Sequence, residues 1–267
     1  MKAIILAAGR GSRLNKYTED LPKGMLPLNG KPLLQRQIET LRKAGVTDIS
    51  IVRGFNPEKI NFKGIKYYEN PIWDNTNMVA SLFCAEKEFD GSDDILVSYA
   101  DSIHEPMVIK QIIKENFPLS KAIDIDYKEY WTARNGDWKI DSESCTLNKD
   151  GSIKEIGEDG VVDESRLHGR DASLTFISKE FVPKVLKHFK EIKSTHWDTP
   201  LIDGKGVRRF NMTNLLQSWI NNGWRVMANK IKRGWMEFDT NEDYENAIKW
   251  AKSGEIKRFI DIDIIGE

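Results

Sequence analysis

Cysteine is almost missing from this chain. Cys84 and Cys145 are the only two, far apart and without metal-ligand spacing. A disulfide framework and a cysteine-held zinc site are therefore excluded, and a reducing, cytoplasmic setting is the expectation. Histidine is scarce too, and His104, His168, His188 and His196 form no cluster. Charge of one sign is not in excess: 40 Lys+Arg stand against 41 Asp+Glu, a formal net charge of −1. That removes the basic footprint of a nucleic-acid binder. No apolar run approaches the roughly 20 residues of a membrane span. The apolar stretch ahead of Gly9 and Arg10 falls short of a signal-peptide core of roughly 7–15 residues, so neither leader nor membrane partner is expected. Repeats, low-complexity tracts and long linkers are absent as well, which favours one elaborated domain over residues 1–267. What is present suits a folded enzyme. A hydrophobic fraction of 40% in 267 residues supports a sizeable core, and 30% charged residues make an ordinary surface.

The pattern along the chain alternates between strand and helix. Residues 2–7, KAIILA, form a short apolar run suited to a strand buried on both faces of a parallel sheet. Leu34, Ile38 and Leu41 recur at helical spacing before Gly45, which predicts a helix over 31–44. Strands are expected at Ile49–Val52, Ile65–Tyr68 and Ile95–Tyr99, with helices over 77–88 and 105–116. Together these predict an α/β fold with a mostly parallel central sheet flanked by helices. Residues 127–171 break the alternation. They are rich in Trp, Gly, Asp and Lys, with strand candidates near 139–148 and 153–157, and read as a small β-rich insertion. Helices return at 179–192, 212–222 and 240–252, and a strand at 224–231 leads to Trp235-Met236-Glu237-Phe238-Asp239.

The segment Leu6-Ala7-Ala8-Gly9-Arg10-Gly11-Ser12-Arg13 directly follows the first strand. Small residues there let backbone N–H groups approach a phosphate or a base edge, and Arg13 adds a fork of donors. Ten residues on, Leu21-Pro22-Lys23 offers a second phosphate cation. A dinucleotide site would want a third glycine and an acidic residue ending the second strand, but that strand ends in Val52-Arg53. A P-loop pattern is absent. A glycine-rich turn without ligand stays open at this level.

These residues, LAAGRGSR followed by PK, resemble the signature of the nucleotidyltransferases that join a nucleoside triphosphate to a phosphorylated small molecule. Asn77-Met78-Val79-Ala80-Ser81-Leu82, Tyr99-Ala100-Asp101, Tyr130-Trp131-Thr132-Ala133-Arg134 and Gly234 to Thr240 are similar to the phosphocholine cytidylyltransferase-like branch, which includes phosphonate cytidylyltransferases. The resemblance implies a Rossmann-like nucleotidyltransferase fold in which 127–171 lies on the acceptor side. It implies transfer of CMP from CTP to a small phosphorylated or phosphonate acceptor, such as phosphocholine or 2-aminoethylphosphonate, with release of pyrophosphate. A sugar-1-phosphate nucleotidyltransferase using UTP or dTTP is the alternative. Homo-oligomerisation is left open.

By the same resemblance Arg13 and Lys23 are catalytic, and Leu6, Ala8, Gly9, Gly11, Ser12, Asn77, Ser81 and Ala100 bind the nucleotide. Ala100 stands where the family commonly has glycine. Asp101, just past the end of a buried strand where open α/β sheets place ligands, and Asp239 are the implied ligands of Mg²⁺. A strand-end turn and a helix N-cap are the plainer roles for these two aspartates. Trp131 and Trp235 are expected to line an acceptor pocket for an ammonium group, with Arg134 clamping the acceptor phosphate or a carboxylate. Asp141 and Glu143 stand ready to pair with that ammonium. Trp219, Trp224 and Trp250 are expected in the core.

Overall fold

The computed structural model describes residues 1–265. Strand β1, Lys2–Ala7, is buried at every position because both faces of the sheet are covered. Its odd residues Ala3 and Ile5 pack into one core cluster, and Ile4 and Leu6 into another. A two-residue ribbon follows, β2 Pro27–Leu28 with β3 Lys31–Pro32, and leads into helix α1, Leu33–Lys43. Gly45, at φ +91°, takes the chain out of that helix where the sequence placed the stop. Then come β4 Asp48–Arg53, β5 Lys66–Glu69, the short helix α2 Met78–Leu82 and β6 Ile95–Tyr99. β7 Ser102–His104 and α3 Pro106–Glu115 lead to β8 Leu119–Asp124 and α4 Lys128–Asn135. The hairpin β9 Glu143–Leu147 and β10 Ile153–Asp159 precedes β11 Arg170–Ile177. The chain ends through α5 Val182–His196, α6 Met212–Asn221, β12 Met227–Ile231, β13 Trp235–Glu237 and α7 Asn241–Ser253.

Seven strands form the central sheet in the order β12-β8-β11-β6-β1-β4-β5. All pairings are parallel except those of β11, which runs against both β6 and β8. The apolar stripes of α1, α3 and α7 cover one face, and those of α2, α5 and α6 the other.

Three expectations change. The helix expected over 77–88 closes at Leu82, and Phe83–Glu88 continues as a tighter 3₁₀ stretch with Ala85 outside helical geometry. The 127–171 segment is less β-rich than its composition suggests, because 128–135 is a helix. β8 and β11 were not anticipated at all: each carries buried polar residues, Lys121 in one and Arg170 in the other. Of the tryptophans expected in the core, Trp219 is fully buried with Trp224 half-buried beside it, and Trp250 is half-buried against the core on the other face of the sheet. No helix among the described residues is long and apolar enough to cross a membrane.

Candidate active site

The site forms at the carboxyl ends of the parallel strands, where open α/β sheets leave a crevice. The Leu6 carbonyl accepts from Ala100 N at 3.0 Å, so the turn after β1 and the end of β6 lie side by side. β13 pairs antiparallel with β7, and Phe238 N reaches the Asp101 carbonyl at 2.9 Å. Asp101 and Asp239, 138 residues apart in sequence numbering, thus meet at one place. The N-cap of α7 is Thr240, closed by a reciprocal box with Asp243, so Asp239 stands one residue before the cap with its carboxylate free for other work.

Glycine has a distinct job at two positions. Gly11 adopts φ +77°, and a Cβ there would lie 2.9 Å from Cβ of Lys23. A Cβ at Gly24 would lie 2.6 Å from the Leu34 side chain and 3.2 Å from Ala100. The first lets the Lys23 stem press against the first turn, and the second lets its neighbouring backbone pass close to Leu34 and Ala100; Lys23 Nζ reaches Asp101 Oδ2 at 2.8 Å and Asp239 Oδ1 at 2.7 Å. Arg13 Nη2 lies 3.1 Å from the same Asp239 oxygen.

Burial pushes the Asp239 carboxyl up, but Lys23, Arg13 and Arg134 outweigh it and hold the group well below the usual carboxylate range. Burial likewise lowers Lys23, and the two aspartates more than offset it, so the ammonium stays charged. The Glu237 carboxyl is pushed up by burial and by Asp239 and Asp101, against the pull of Arg134. Two carboxylates converging on one cation are a donor set suited to Mg²⁺, which takes one or two protein carboxylates and completes its shell with phosphates and water. Asp101 and Asp239 would hold it.

Two cavities share this centre. The larger, about 620 Å³, is lined by Leu6, Ala8, Gly9, Gly11 and Ser12 of the first turn and by Asn77, Ser81 and Ala100 across from it. All eight residues assigned to the nucleotide therefore face one space. The Asn77 side chain caps α2 by accepting from Met78 N and donates to Asn211, while Ser81 accepts from Asn70. The smaller cavity, about 200 Å³, opens from the same Arg13, Asp101 and Asp239 and is walled by Trp131, Glu143 and Asp141, among others.

Two acceptor-side assignments are corrected. Trp235 is 1% exposed, donates Nε1 to Asp124 at 2.8 Å and reaches neither cavity; it belongs to the core beneath the site. Arg134 is buried and already committed. It grips Asp243 through Nε at 2.7 Å and Nη2 at 2.9 Å, reaches Asp239 Oδ2 at 3.2 Å and pairs with Glu237. Its guanidinium braces the carboxylates from behind and lines neither cavity.

Sequence reasoning missed Arg170, Asp171, Tyr99 as a wall residue, and Lys121. Lys121, fully buried, donates to the Tyr99 hydroxyl at 2.6 Å and pairs with Asp171 at 2.8 Å. A β-bulge turns Asp171 and Ser173 into the smaller cavity: the β11 register slips between Asp171 and Thr175, and Ser173 sits at φ +60°. No motif marks this, although Gly169, tight against Ile123, hints at an unusual strand approach.

A glycine-rich turn with two cations, facing two aspartates across a nucleotide-sized cleft in a seven-stranded α/β sheet, defines a class. Residues 3–121 match the family described as MobA-like NTP transferase domain, and the proteins the chain is similar to are nucleotidyltransferases. Within that class it is similar to the CTP:phosphoglutamine cytidylyltransferase of Campylobacter jejuni, with 29% identity over 259 residues, 93% of this chain and 100% of that one. The choline-phosphate cytidylyltransferase of Streptococcus pneumoniae is 38% identical over 96 residues, 34% of this chain and 42% of that protein. Among solved structures, the CTP:phosphocholine cytidylyltransferase of Streptococcus pneumoniae superposes with TM-score 0.70 at 20% identity, covering 93% of this chain and 97% of that one. The inositol-1-phosphate CTP transferase of T. maritima superposes with TM-score 0.70 at 21% identity, over 95% and 96% respectively. At that identity the two structures share the fold.

Proposed function

We propose that the protein transfers CMP from CTP to a small acceptor bearing a phosphate or phosphonate and an ammonium group, releasing pyrophosphate. The observation that carries this reading is the convergence of Lys23, Arg13, Asp101 and Asp239 where the two cavities meet. Full-length similarity to a cytidylyltransferase supports CTP as the donor. The triphosphate lies along the first turn in the larger cavity, and the acceptor occupies the smaller one. An acceptor phosphate oxygen attacks the α-phosphorus in line, and the bond to the departing pyrophosphate breaks. A phosphate oxyanion is already nucleophilic, so no base-activated side chain is required. Bound at Asp101 and Asp239, Mg²⁺ would supply charge neutralisation between the reacting phosphates. Lys23 and Arg13 offset the charge that builds on the nonbridging and leaving oxygens, and the rigid turn holds the donor in line. Arg134 keeps Asp239 ionised and oriented.

The deciding experiment is pyrophosphate release with CTP, UTP, ATP or dTTP against phosphocholine, 2-aminoethylphosphonate, phosphoglutamine and glucose 1-phosphate, with Mg²⁺ or with chelator. Release with CTP and an amine-bearing acceptor, abolished by chelator, is expected. Release only with UTP or dTTP and the sugar phosphate overturns the cytidylyl reading.

A further inference from the structure

We propose that the smaller cavity is built for the amino-acid end of its acceptor, with Arg170 receiving a carboxylate beside the ammonium. This rests on the cytidylyl-transfer reading above and specifies its acceptor. Arg170 is 4% exposed and lines this cavity. Its guanidinium lies 4.4 Å from the Trp131 ring centre and 5.4 Å from that of Tyr127, held by aromatic faces. Yet its Nε and Nη2 have no hydrogen-bond partner, and it forms no ion pair among the described residues. The indole Nε1 of Trp131, in the same wall, is also buried without an acceptor. Burying an unpaired guanidinium costs several kcal/mol, which proteins tolerate where a ligand completes the pairing. A planar carboxylate matches the fork of donors that Arg170 leaves open.

The other side of the cavity has the opposite character. Asp141, Glu143 and Asp171 all line it. Lys121 already neutralises Asp171 at 2.8 Å, whereas Glu143, half-buried, forms no ion pair among the described residues. Burial, with Asp171 and Asp159 nearby, pushes the Glu143 carboxyl up, against the pull of Arg170 across the cavity. An arriving ammonium supplies the countercharge that Glu143 lacks.

A simple amine-bearing acceptor would satisfy Glu143 and leave Arg170 orphaned. The acceptor phosphate is an unsuitable partner for Arg170, because it must reach the donor beside Arg13, Lys23 and the aspartate pair. The charged and polar groups facing Arg170 are instead Tyr127, Glu237, Asp141 and Glu143. A zwitterionic end of amino-acid type meets both demands, and about 200 Å³ accommodates it.

The test compares O-phosphoserine with O-phosphoethanolamine, which differ by the carboxylate alone, as acceptors for CTP and Mg²⁺. CTP binding is measured separately by calorimetry. Wild-type protein is expected to prefer O-phosphoserine in kcat/KM by on the order of 10²-fold, the usual scale for a desolvated charge pair. Arg170→Gln should erase that preference while leaving the KM for CTP unchanged. Equal or better use of O-phosphoethanolamine overturns the proposal, as does CTP binding with neither acceptor used. An equal loss for both acceptors in Arg170→Gln overturns it too. If Arg170→Gln fails to fold, Arg170→Lys keeps the charge and loses the fork, and the wild-type comparison still decides. Failure to bind CTP at all would instead sink the underlying functional reading.

Discussion

Lys23 shows how much one side chain carries here. Its ammonium touches both aspartates at 2.8 and 2.7 Å, and in the proposed reaction it lies beside the donor phosphates. Replacing it with alanine removes a stabilising cation from the transition state and leaves Asp101 and Asp239 facing each other. Turnover is expected to fall about 10²–10³-fold, the cost typical of losing one such donor, while far-ultraviolet circular dichroism stays native. Turnover near wild type would strip Lys23 of its role. Trp235 is the contrasting case. Trp235→Phe deletes a buried ring and orphans one oxygen of Asp124, at a cost of about 1–3 kcal/mol. A lower unfolding midpoint with unchanged acceptor KM is expected; a raised KM with undiminished stability would return Trp235 to the acceptor pocket. At this scale the first turn, Lys23 and both aspartates were readable, because short motifs carry them. Arg134 was misread because a guanidinium near a site looks alike in sequence whether it faces ligand or braces carboxylates.

At the scale of elements, β7 and β13 do the joining, and a histidine seals them. His104 is 2% exposed, and its Nε2 donates to the Ala172 carbonyl of β11 at 2.7 Å. Burial, aided by Lys121, drives the imidazole from 6.5 down to about 4. The folded protein therefore resists a proton that the unfolded chain accepts, and stability from this group is complete above about pH 6.5. It is lost as the pH falls towards 4, by about 3 kcal/mol over that window. Urea midpoints at pH 7.5 and 5 should show the loss, and His104→Gln, which still donates to Ala172 but does not titrate, should flatten it. An equally steep His104→Gln profile would assign the loss elsewhere. Strands with unbroken apolar runs, such as Lys2–Ala7 and Ile95–Tyr99, were legible by pattern. β8 hides Lys121 in a strand buried throughout, and β11 opens with Arg170 and Asp171 ahead of a bulge. Tertiary pairing overrides the local pattern in both, and the smaller cavity is built on that irregularity.

For the whole molecule, the site is a seam. The turn after β1, Lys23, the end of β6 and the stretch from β13 into α7 meet only when the sheet is complete. An unfolded chain has no such meeting point, so a ligand of the seam binds the folded state alone and raises its stability by mass action. CTP with Mg²⁺ at a hundred times its dissociation constant should add about 2.7 kcal/mol. For a chain of this size, that corresponds to roughly 2–4 °C of midpoint per kcal/mol in thermal unfolding. Chelator should remove most of the shift, because triphosphate, Asp101 and Asp239 then crowd negative charge with only Lys23, Arg13 and Arg134 to offset it. The same titration with Asp239→Asn separates two causes: loss of the Mg²⁺-dependent part alone locates the ion at the aspartate pair. A Mg²⁺-dependent shift that survives in Asp239→Asn would place the ion on the triphosphate alone and reduce Asp239 to anchoring Lys23 and Arg13.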